Sequence, residues 1–246
     1  MGLGMSALLL IAALTGCGTT QQETASNEIS VSQTDSHYPV TVESYNYAGD
    51  VVTTTYEKAP ERVIAVYQGS IETMLALGLE EHVVASYGLD NAVKEEWEDG
   101  LSKMNYHEEV FAPSKEDVMM LEPDMIFSWG SLFGEKKLGD VDQWISRGTN
   151  TYINTNTRAG GYDRTLEHEY TDILNIGKIF DVEEKAQALV DEMKQEIEDA
   201  LAKTKGKEAQ TVSVIEFLND DISNYGASSL AGDMITQLGG ELGVES

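Results

Sequence analysis

The chain has 246 residues, of which 41% are hydrophobic and 24% are charged. This composition excludes a wholly disordered chain, a collagen-like repeat and a multi-span membrane protein, and the length suits one large domain or two small ones. The 43 acidic residues and 16 Lys and Arg residues give a formal net charge of −27. A surface with this much negative charge repels the phosphate backbone of nucleic acids. We therefore expect no nucleic-acid partner.

The first 16 residues are typical of a secretory signal. An apolar run over residues 8–14 is far shorter than the roughly 20 residues that a membrane-spanning helix needs. It leads into the block Leu-Thr-Gly-Cys, which resembles a bacterial lipobox and implies that Cys17 carries a lipid. Residues 17–37 are rich in Ser, Thr, Asn and Gln, which predicts a flexible tether between an extracytoplasmic membrane anchor and the folded body. The alternative is a buried cysteine in a small apolar helix.

From residue 38 onward, strand patterns alternate with helix patterns. Predicted strands cover residues 38–43, 51–56, 62–66, 82–86, 124–128, 150–153 and 211–217. Predicted helices cover residues 70–77, 114–121, 136–147, 164–180, 182–203 and 229–238. The first two strands are expected to pair as a hairpin. The next four are separated mostly by helices, which predicts a parallel sheet covered by helices on its faces.

The usual sequence motifs of catalysis are missing. No GxSxG motif occurs, and residues 130–136 have the spacing GxxxGxK in place of the GxxxxGK[ST] of a phosphate loop. The four histidines, His37, His82, His107 and His168, share no HxxxH or HxH spacing, so a zinc site would need distant partners. We therefore expect no enzyme, no cofactor and no directly bound metal, and a tethered hydrolase stays as an alternative.

Several segments occur in an order that is typical of one family. They are APERVIAV (59–66), ETMLALGL (72–79), VVASY (83–87), SKEDV (114–118), LEPDMI (121–126) and SLAGD (229–233). Together, over residues 38–246, they resemble the solute-binding proteins of ABC importers for ferric siderophores, haem and cobalamin. The resemblance implies an α/β fold of two lobes joined by a long helix. It also implies that the protein captures its ligand between the lobes and delivers it to a permease without catalysis.

The resemblance also assigns the parts of the chain. Residues 38–160 would form the N-terminal α/β lobe, 161–204 the helical connector and 205–246 the beginning of the C-terminal lobe. Because the second lobe of this family is about as large as the first, we expect the second lobe to be truncated here. Such a truncation would leave apolar surface exposed on Val212, Val214, Ile215 and Phe217.

Candidate ligand-binding residues follow the predicted strands. In open α/β sheets, ligands bind beyond the carboxyl ends of the strands, and this rule selects Tyr67, Tyr87, Trp129 and Arg158. Tyr225 lies between strand and helix in the second lobe. We favour Trp129 as a ligand contact because the family often has an aromatic residue at this place. Tyr67 and Tyr87 could equally be packing residues at strand ends.

Glu116 is a candidate for docking to the permease. It resembles a glutamate that pairs, in this family, with an arginine of the permease. The alternative is an acidic residue in a first helical turn, where the helix dipole favours a negative charge.

The ligand class is less well defined by the sequence. An iron-siderophore chelate is expected, since it is the commonest ligand of the family. Arginines are few in the body, namely Arg62, Arg147, Arg158 and Arg164, which favours a hydroxamate chelate or cobalamin over a strongly anionic triscatecholate. Haem stays open as a ligand, since Tyr or Met could hold it. A surface receptor or sensor that does not transport would use the same fold and stays open as a function.

Overall fold

The computed structural model describes residues 36–219 and 221–244, which belong to one compact unit that begins at Ser36. The proposed signal, Cys17 and almost all of the tether lie outside the described residues, so these expectations stay predictions. In the described part of the chain, no helix has both the length and the apolar character needed to cross a membrane.

A hairpin and a five-stranded sheet form the first part of the body. The antiparallel hairpin consists of β1 (Val40–Tyr45) and β2 (Val51–Tyr56). The strands of the sheet are β3 (Val63–Val66), β4 (Val83–Tyr87), β5 (Tyr106–His107), β6 (Met125–Ser128) and β7 (Asn150–Ile153). All four pairings in this sheet are parallel. The predicted α/β class with a parallel sheet is therefore confirmed.

Besides four single-turn 3-10 helices, the described residues form seven α-helices and four further short strands. The helices are α1 (Gln68–Ala76), α2 (Glu98–Lys103), α3 (Lys115–Met120), α4 (Val141–Ile145), α5 (Leu166–Ile179), α6 (Glu183–Thr204) and α7 (Leu230–Gln237). The strands are β8 (Thr211–Val212), β9 (Val214–Leu218), β10 (Asp221–Tyr225) and β11 (Glu241–Leu242).

The strand order of the sheet is β5-β4-β3-β6-β7. After β3 the chain adds β4 and β5 on one side, and it then returns to add β6 and β7 on the other side. The direction of winding therefore reverses between β3 and β6. In open α/β sheets, such a reversal opens a crevice at the carboxyl ends of the two strands.

Helices cover both faces of this sheet. All four residues of β3 are fully buried, as expected for the central strand of a parallel sheet. Val63 and Ala65 belong to a core that includes residues of α1, α5 and α6, whereas Ile64 and Val66 belong to a second core with α3 and α4. This division follows from the alternation of side chains along a strand. Each aliphatic side chain buried in these cores contributes about 1.5–3 kcal/mol.

The structure differs from the sequence expectations in two elements. The predicted helix over residues 136–147 forms only at Val141–Ile145, because Gly134 and Gly139 close a turn with reciprocal backbone hydrogen bonds of 3.1 and 2.8 Å. The predicted strand over residues 211–217 is divided. Its first part, β8, pairs in parallel with β11, and its second part, β9, pairs in antiparallel with β10. The sequence pattern did not predict the strands β5 and β10 or the helix α2.

The strands after α6 leave several apolar side chains exposed. Val212 is 37% exposed, Ile215 49% and Phe217 71%, whereas Val214 is partly buried. Three of the four side chains that we expected to be exposed are therefore exposed.

Candidate ligand-binding site

Tyr67 and Trp129 meet at the point where the winding of the sheet reverses. Tyr67 follows β3 and Trp129 follows β6, the two adjacent strands at this point. Their ring centroids are 3.9 Å apart, with 36° between the ring planes. Both side chains are partly buried. The structure therefore brings two of the predicted ligand-binding residues together at the crevice where an open α/β sheet usually binds its ligand.

The backbone of Tyr67 has an unusual conformation. Its φ of 84° and ψ of 156° lie in a region that is almost restricted to glycine, and such a residue costs about 1–3 kcal/mol. Its N–H donates to the carbonyl oxygen of Tyr87 at 2.8 Å, and its own carbonyl accepts from Ile71 in the first turn of α1 at 3.1 Å. The adjacent strand and helix hold this conformation in place. Strained backbone of this kind is concentrated at functional sites, so it points to a role for Tyr67 beyond packing.

Phe111 and Asp90 complete the surroundings of Tyr67. The ring of Phe111 lies edge-on to Tyr67 with centroids 5.9 Å apart, and Phe111 is 52% exposed. The Tyr67 hydroxyl donates a hydrogen bond to the Asp90 carboxylate. We call Tyr67, Phe111 and Trp129 the aromatic wall. The sequence pattern did not indicate Phe111 or Asp90, because both lie in loops without a strand immediately before them.

The hairpin formed by β9 and β10 contributes a second tyrosine–carboxylate pair. The Tyr225 hydroxyl donates to Glu216 on the neighbouring strand. Burial and the hydrogen bond to Asp90 raise the pKa of Tyr67, and the nearby Tyr225 and Glu216 raise this pKa further. Tyr225, a predicted site residue, therefore lies close enough to Tyr67 to act on it electrostatically.

Arg158 lies among tyrosines beyond the end of β7. Its guanidinium is over the ring of Tyr162 at 3.8 Å and over the ring of Tyr45 at 4.8 Å, and Nη1 donates to the Tyr45 hydroxyl at 2.5 Å. Its Nε is buried and has no hydrogen-bond partner among the described residues. The Arg158 cation is therefore largely engaged by Tyr45 and Tyr162.

A buried aspartate holds the turn that leads to Arg158. Asp172 of α5 is fully buried and accepts hydrogen bonds from Thr155 N at 2.7 Å, Thr155 Oγ1 at 2.5 Å and the Tyr152 hydroxyl at 2.9 Å. Burial raises the pKa of Asp172 to about 7, although these hydrogen bonds favour the charged form. The same turn is joined to the residues after β6, because Gly130 N donates to Thr157 Oγ1 at 2.9 Å. Asp172 thus fixes the turn that precedes Arg158 through hydrogen bonds to Thr155 and Tyr152.

Tyr87 has a different environment from that of Tyr67. Its side chain is 4% exposed and stacks on His107 with centroids 4.6 Å apart and planes at 10°. It belongs to the same core as Val118 of α3. The geometry therefore favours a packing role for Tyr87, because its ring leaves the sheet on the face that α3 covers.

Glu116 lies in the first turn of α3 and is exposed. The helix begins with a side-chain cap, in which Ser114 Oγ accepts from Asp117 N at 3.1 Å. Met119 and Met120 of the same helix are 45% and 81% exposed. A carboxylate and two flexible apolar side chains are thus accessible on one short helix.

A parallel α/β sheet with aromatic side chains at its winding reversal is typical of a protein that binds a small ligand. The model of the periplasmic binding protein family matches residues 63–242, and the chain belongs to this family. The resemblance stated from the sequence motifs is thereby confirmed. This family consists of solute-binding proteins and is not an enzyme family.

Individual relatives agree with this assignment. The chain is 27% identical, over 94% of its length and 69% of the relative's, to an uncharacterized ABC transporter substrate-binding lipoprotein, YvrC of Bacillus subtilis (strain 168). A periplasmic binding protein from Veillonella parvula is 32% identical with a TM-score of 0.77, over 83% of this chain and 65% of that chain. An ABC-type Fe3+-hydroxamate transport system from Saccharomonospora viridis shares the fold, with a TM-score of 0.64 and 21% identity, over 84% and 70% of the two chains. The chain therefore spans about two thirds of the length of these relatives.

Proposed function

We propose that the protein is the extracytoplasmic, lipid-anchored substrate-binding component of an ABC importer. It captures an iron chelate of the siderophore type and delivers it to the permease. The observation that carries this proposal is the contact of the strained Tyr67 with the ring of Trp129 at the winding reversal of the sheet. Membership of the periplasmic binding protein family and the similarity to a substrate-binding lipoprotein support it.

The parts of the chain have separate roles in this proposal. Cys17 holds the protein at the membrane, and the residues up to 37 act as the tether. Residues 38–160 form the N-terminal lobe, 161–204 the helical connector and 205–246 belong to the C-terminal lobe. Support comes from the order of the elements, since the parallel sheet precedes α5 and α6 and the four short strands come after them.

The proposed ligand carries little net negative charge. The aromatic wall offers wide, flat contact area at low entropic cost. Its polar neighbours are two carboxylates, Asp90 and Glu216, each bonded to a tyrosine, while Arg158 is engaged by Tyr45 and Tyr162. These two carboxylates would repel a strongly anionic triscatecholate, although the exposed Arg164 lies near enough to Tyr225 to oppose the rise in the pKa of its hydroxyl. We therefore propose a ferric hydroxamate as the ligand, with cobalamin and haem as the competing ligands to be tested.

Binding is tested by titrating the protein with ferric hydroxamates, ferric catecholates, haem and cobalamin while the tryptophan fluorescence is recorded. The chain has three tryptophans, Trp97, Trp129 and Trp144, of which Trp144 is 2% exposed. We expect quenching by a ferric hydroxamate and loss of most of this quenching in Trp129→Phe. The control Trp97→Phe should keep it. Trp129→Ala should weaken binding by about 10-fold or more, because a buried aromatic anchor is worth about 1–3 kcal/mol.

Each outcome of the titration has a consequence. Quenching by haem, cobalamin or a catecholate alone would refute the hydroxamate proposal but keep the transport proposal. Quenching by none of the four classes, with a protein whose circular dichroism shows it to be folded, would refute both. Equal quenching in Trp129→Phe and wild type would place the ligand away from the aromatic wall.

Glu116 is proposed as a docking residue for the permease. Glu116→Lys should abolish uptake in cells while the affinity for the ligand stays unchanged, because the residue is exposed in the first turn of α3 and is not part of the aromatic wall. The matched control is Glu196→Lys, which reverses the charge of an exposed residue on α6. Wild-type uptake in Glu116→Lys would show that this carboxylate does not dock.

A further inference from the structure

One cluster of metal-ligating side chains lies outside the aromatic wall. It consists of His37, Asp181 and Glu183, and one ligand atom of each lies within 4.8 Å of those of the others. His37 comes just before β1, whereas Asp181 lies in the turn between α5 and α6 and Glu183 is the first residue of α6. The cluster therefore joins the beginning of the described chain to a helical turn far away in sequence.

The orientation of the His37 ring defines what Nδ1 can do. Nε2 lies 2.7 Å from the carbonyl oxygen of Lys178. A carbonyl oxygen only accepts, so Nε2 carries the hydrogen, and in the neutral imidazole Nδ1 then has a free lone pair. This is the arrangement found in most metal-binding histidines, where the second ring nitrogen donates to a backbone carbonyl and fixes the tautomer.

Two carboxylates face this lone pair. Nδ1 lies 3.3 Å from Asp181 Oδ1 and 3.3 Å from Glu183 Oε1. The two carboxylate oxygens lie within 4.8 Å of each other, and they repel the nitrogen lone pair unless a cation, either a proton on Nδ1 or a metal ion, lies between them. A proton on Nδ1 would form a charge-assisted hydrogen bond, whose usual length is about 2.7–2.9 Å. In tetrahedral zinc coordination with bonds of about 2.0–2.1 Å, neighbouring ligand atoms are about 3.3 Å apart.

The end of α5 favours a cation at this place, although the positive end of the α6 dipole lies beside Glu183. The carbonyl groups at the end of α5 carry the negative end of the helix dipole. Two of these groups accept from the incoming segment, since His37 Nε2 bonds to Lys178 and the Tyr38 hydroxyl bonds to Ile179 at 2.7 Å. The His37 side chain is 17% exposed, whereas those of Asp181 and Glu183 are 60% and 49% exposed. Water can therefore supply the fourth ligand of a zinc ion held by these three side chains.

We propose that His37, Asp181 and Glu183 bind one Zn²⁺ ion, with water as the fourth ligand. The ion fastens the segment before β1 to the turn between α5 and α6. The site is separate from the aromatic wall, so it holds or fails independently of the proposed transport function. The sequence analysis predicted no directly bound metal, because no local spacing of histidines indicates this site.

The proposal is tested by isothermal titration of the full chain with ZnCl₂. The chain carries Cys17→Ser so that the thiol does not compete for the metal. We expect one Zn²⁺ per chain, and His37→Ala and Glu183→Gln should each weaken binding by about 10-fold or more. The matched control is Glu184→Gln, which removes one exposed carboxylate beside the site and should bind as wild type does.

A nitrogen NMR spectrum of the histidine rings supplies a second measurement. Binding of Zn²⁺ should move the Nδ1 resonance of His37 while Nε2 keeps its hydrogen. The proposal is overturned if the chain binds no Zn²⁺, or if His37→Ala and Glu183→Gln bind with wild-type affinity. It is also overturned if Nδ1 of His37 stays protonated in the presence of an equivalent of Zn²⁺.

Discussion

Replacing Asp172 by Asn should make the stability of the protein less dependent on pH between about pH 5 and pH 8. Asp172 is fully buried beneath the turn after β7, and burial raises its pKa from the ordinary 3.8 to about 7. Asn has the same shape and stays neutral. Its oxygen can accept from Thr155 N as the carboxylate does, and its amide can donate to the Thr155 hydroxyl. The Tyr152 hydroxyl, which already accepts from Asn175 Nδ2 at 2.9 Å, loses the oxygen to which it donates, and this loss lowers the stability of the variant equally at every pH.

The sign and size of the effect follow from the two pKa values. Between 3.8 and about 7, the folded state holds a proton that the unfolded state has lost. The contribution of this carboxyl group to stability is therefore fully present below 3.8 and is lost as the pH rises to about 7. From about pH 5 to about pH 7, the free energy of unfolding should fall by about 2 to 3 kcal/mol through this group alone.

The measurement is urea unfolding of wild type and Asp172→Asn at several pH values across this range. Other carboxylates titrate in both proteins, so the informative quantity is the difference between the two curves. Between about pH 5 and about pH 8, this difference should shift in favour of the variant by about 2 to 3 kcal/mol. Asp191→Asn removes an exposed carboxylate of α6 and serves as the control, which should run parallel to wild type.

A parallel course of Asp172→Asn and wild type across the range would refute the reasoning. It would mean that the three hydrogen bonds donated to Asp172 outweigh its burial, so that the group is already ionised in the fold at about pH 5.

Three further changes test the geometry. Tyr67→Gly should be more stable than Tyr67→Ala by about 1–3 kcal/mol, because both variants lack the ring and only glycine adopts this backbone conformation freely. If thermal unfolding shows Tyr67→Ala to be the more stable of the two, the conformation is not strained. Ser114→Ala should lower the free energy of unfolding by about 1 kcal/mol, because Asp117 N loses its cap, and an unchanged denaturant midpoint would contradict this. Gly177→Ala should destabilise the protein by about 1–3 kcal/mol, because its methyl group meets Ala186 of α6, and an unchanged melting temperature would show that the two helices can separate without cost.

Local sequence patterns were sufficient to predict most of the strands and helices before α6. The four residues of β3 are apolar and end at Val66, and parallel pairing buries both faces of such a strand. The same patterns failed at residues 136–147, where the pair of Gly134 and Gly139 makes a turn. They failed again at residues 211–217, because a β-branched run predicts a strand but does not say where the strand changes partner.

The candidate site was only partly predictable, because a local pattern does not say which distant residues a side chain will contact. The rule on strand ends selected Tyr67 and Trp129, which do lie together. It also selected Tyr87, whose ring packs into the core, because the rule gives the end of a strand and not the face on which its last side chain leaves. Phe111 and Asp90 lie in loops, and their path to Tyr67 depends on how those loops fold back.

The sequence by itself determined the acidic character of the protein, its α/β class and most of its strands and helices, because these properties depend on composition and on short-range periodicity. The family was identified from the resemblance of several motifs in a fixed order. Only the tertiary structure decided that β6 lies beside β3, which brings Trp129 onto Tyr67. It also decided that His37 reaches Asp181 and Glu183. These contacts join residues far apart in the chain. Strand order and the direction of each helix create them, and no local pattern of residues records either.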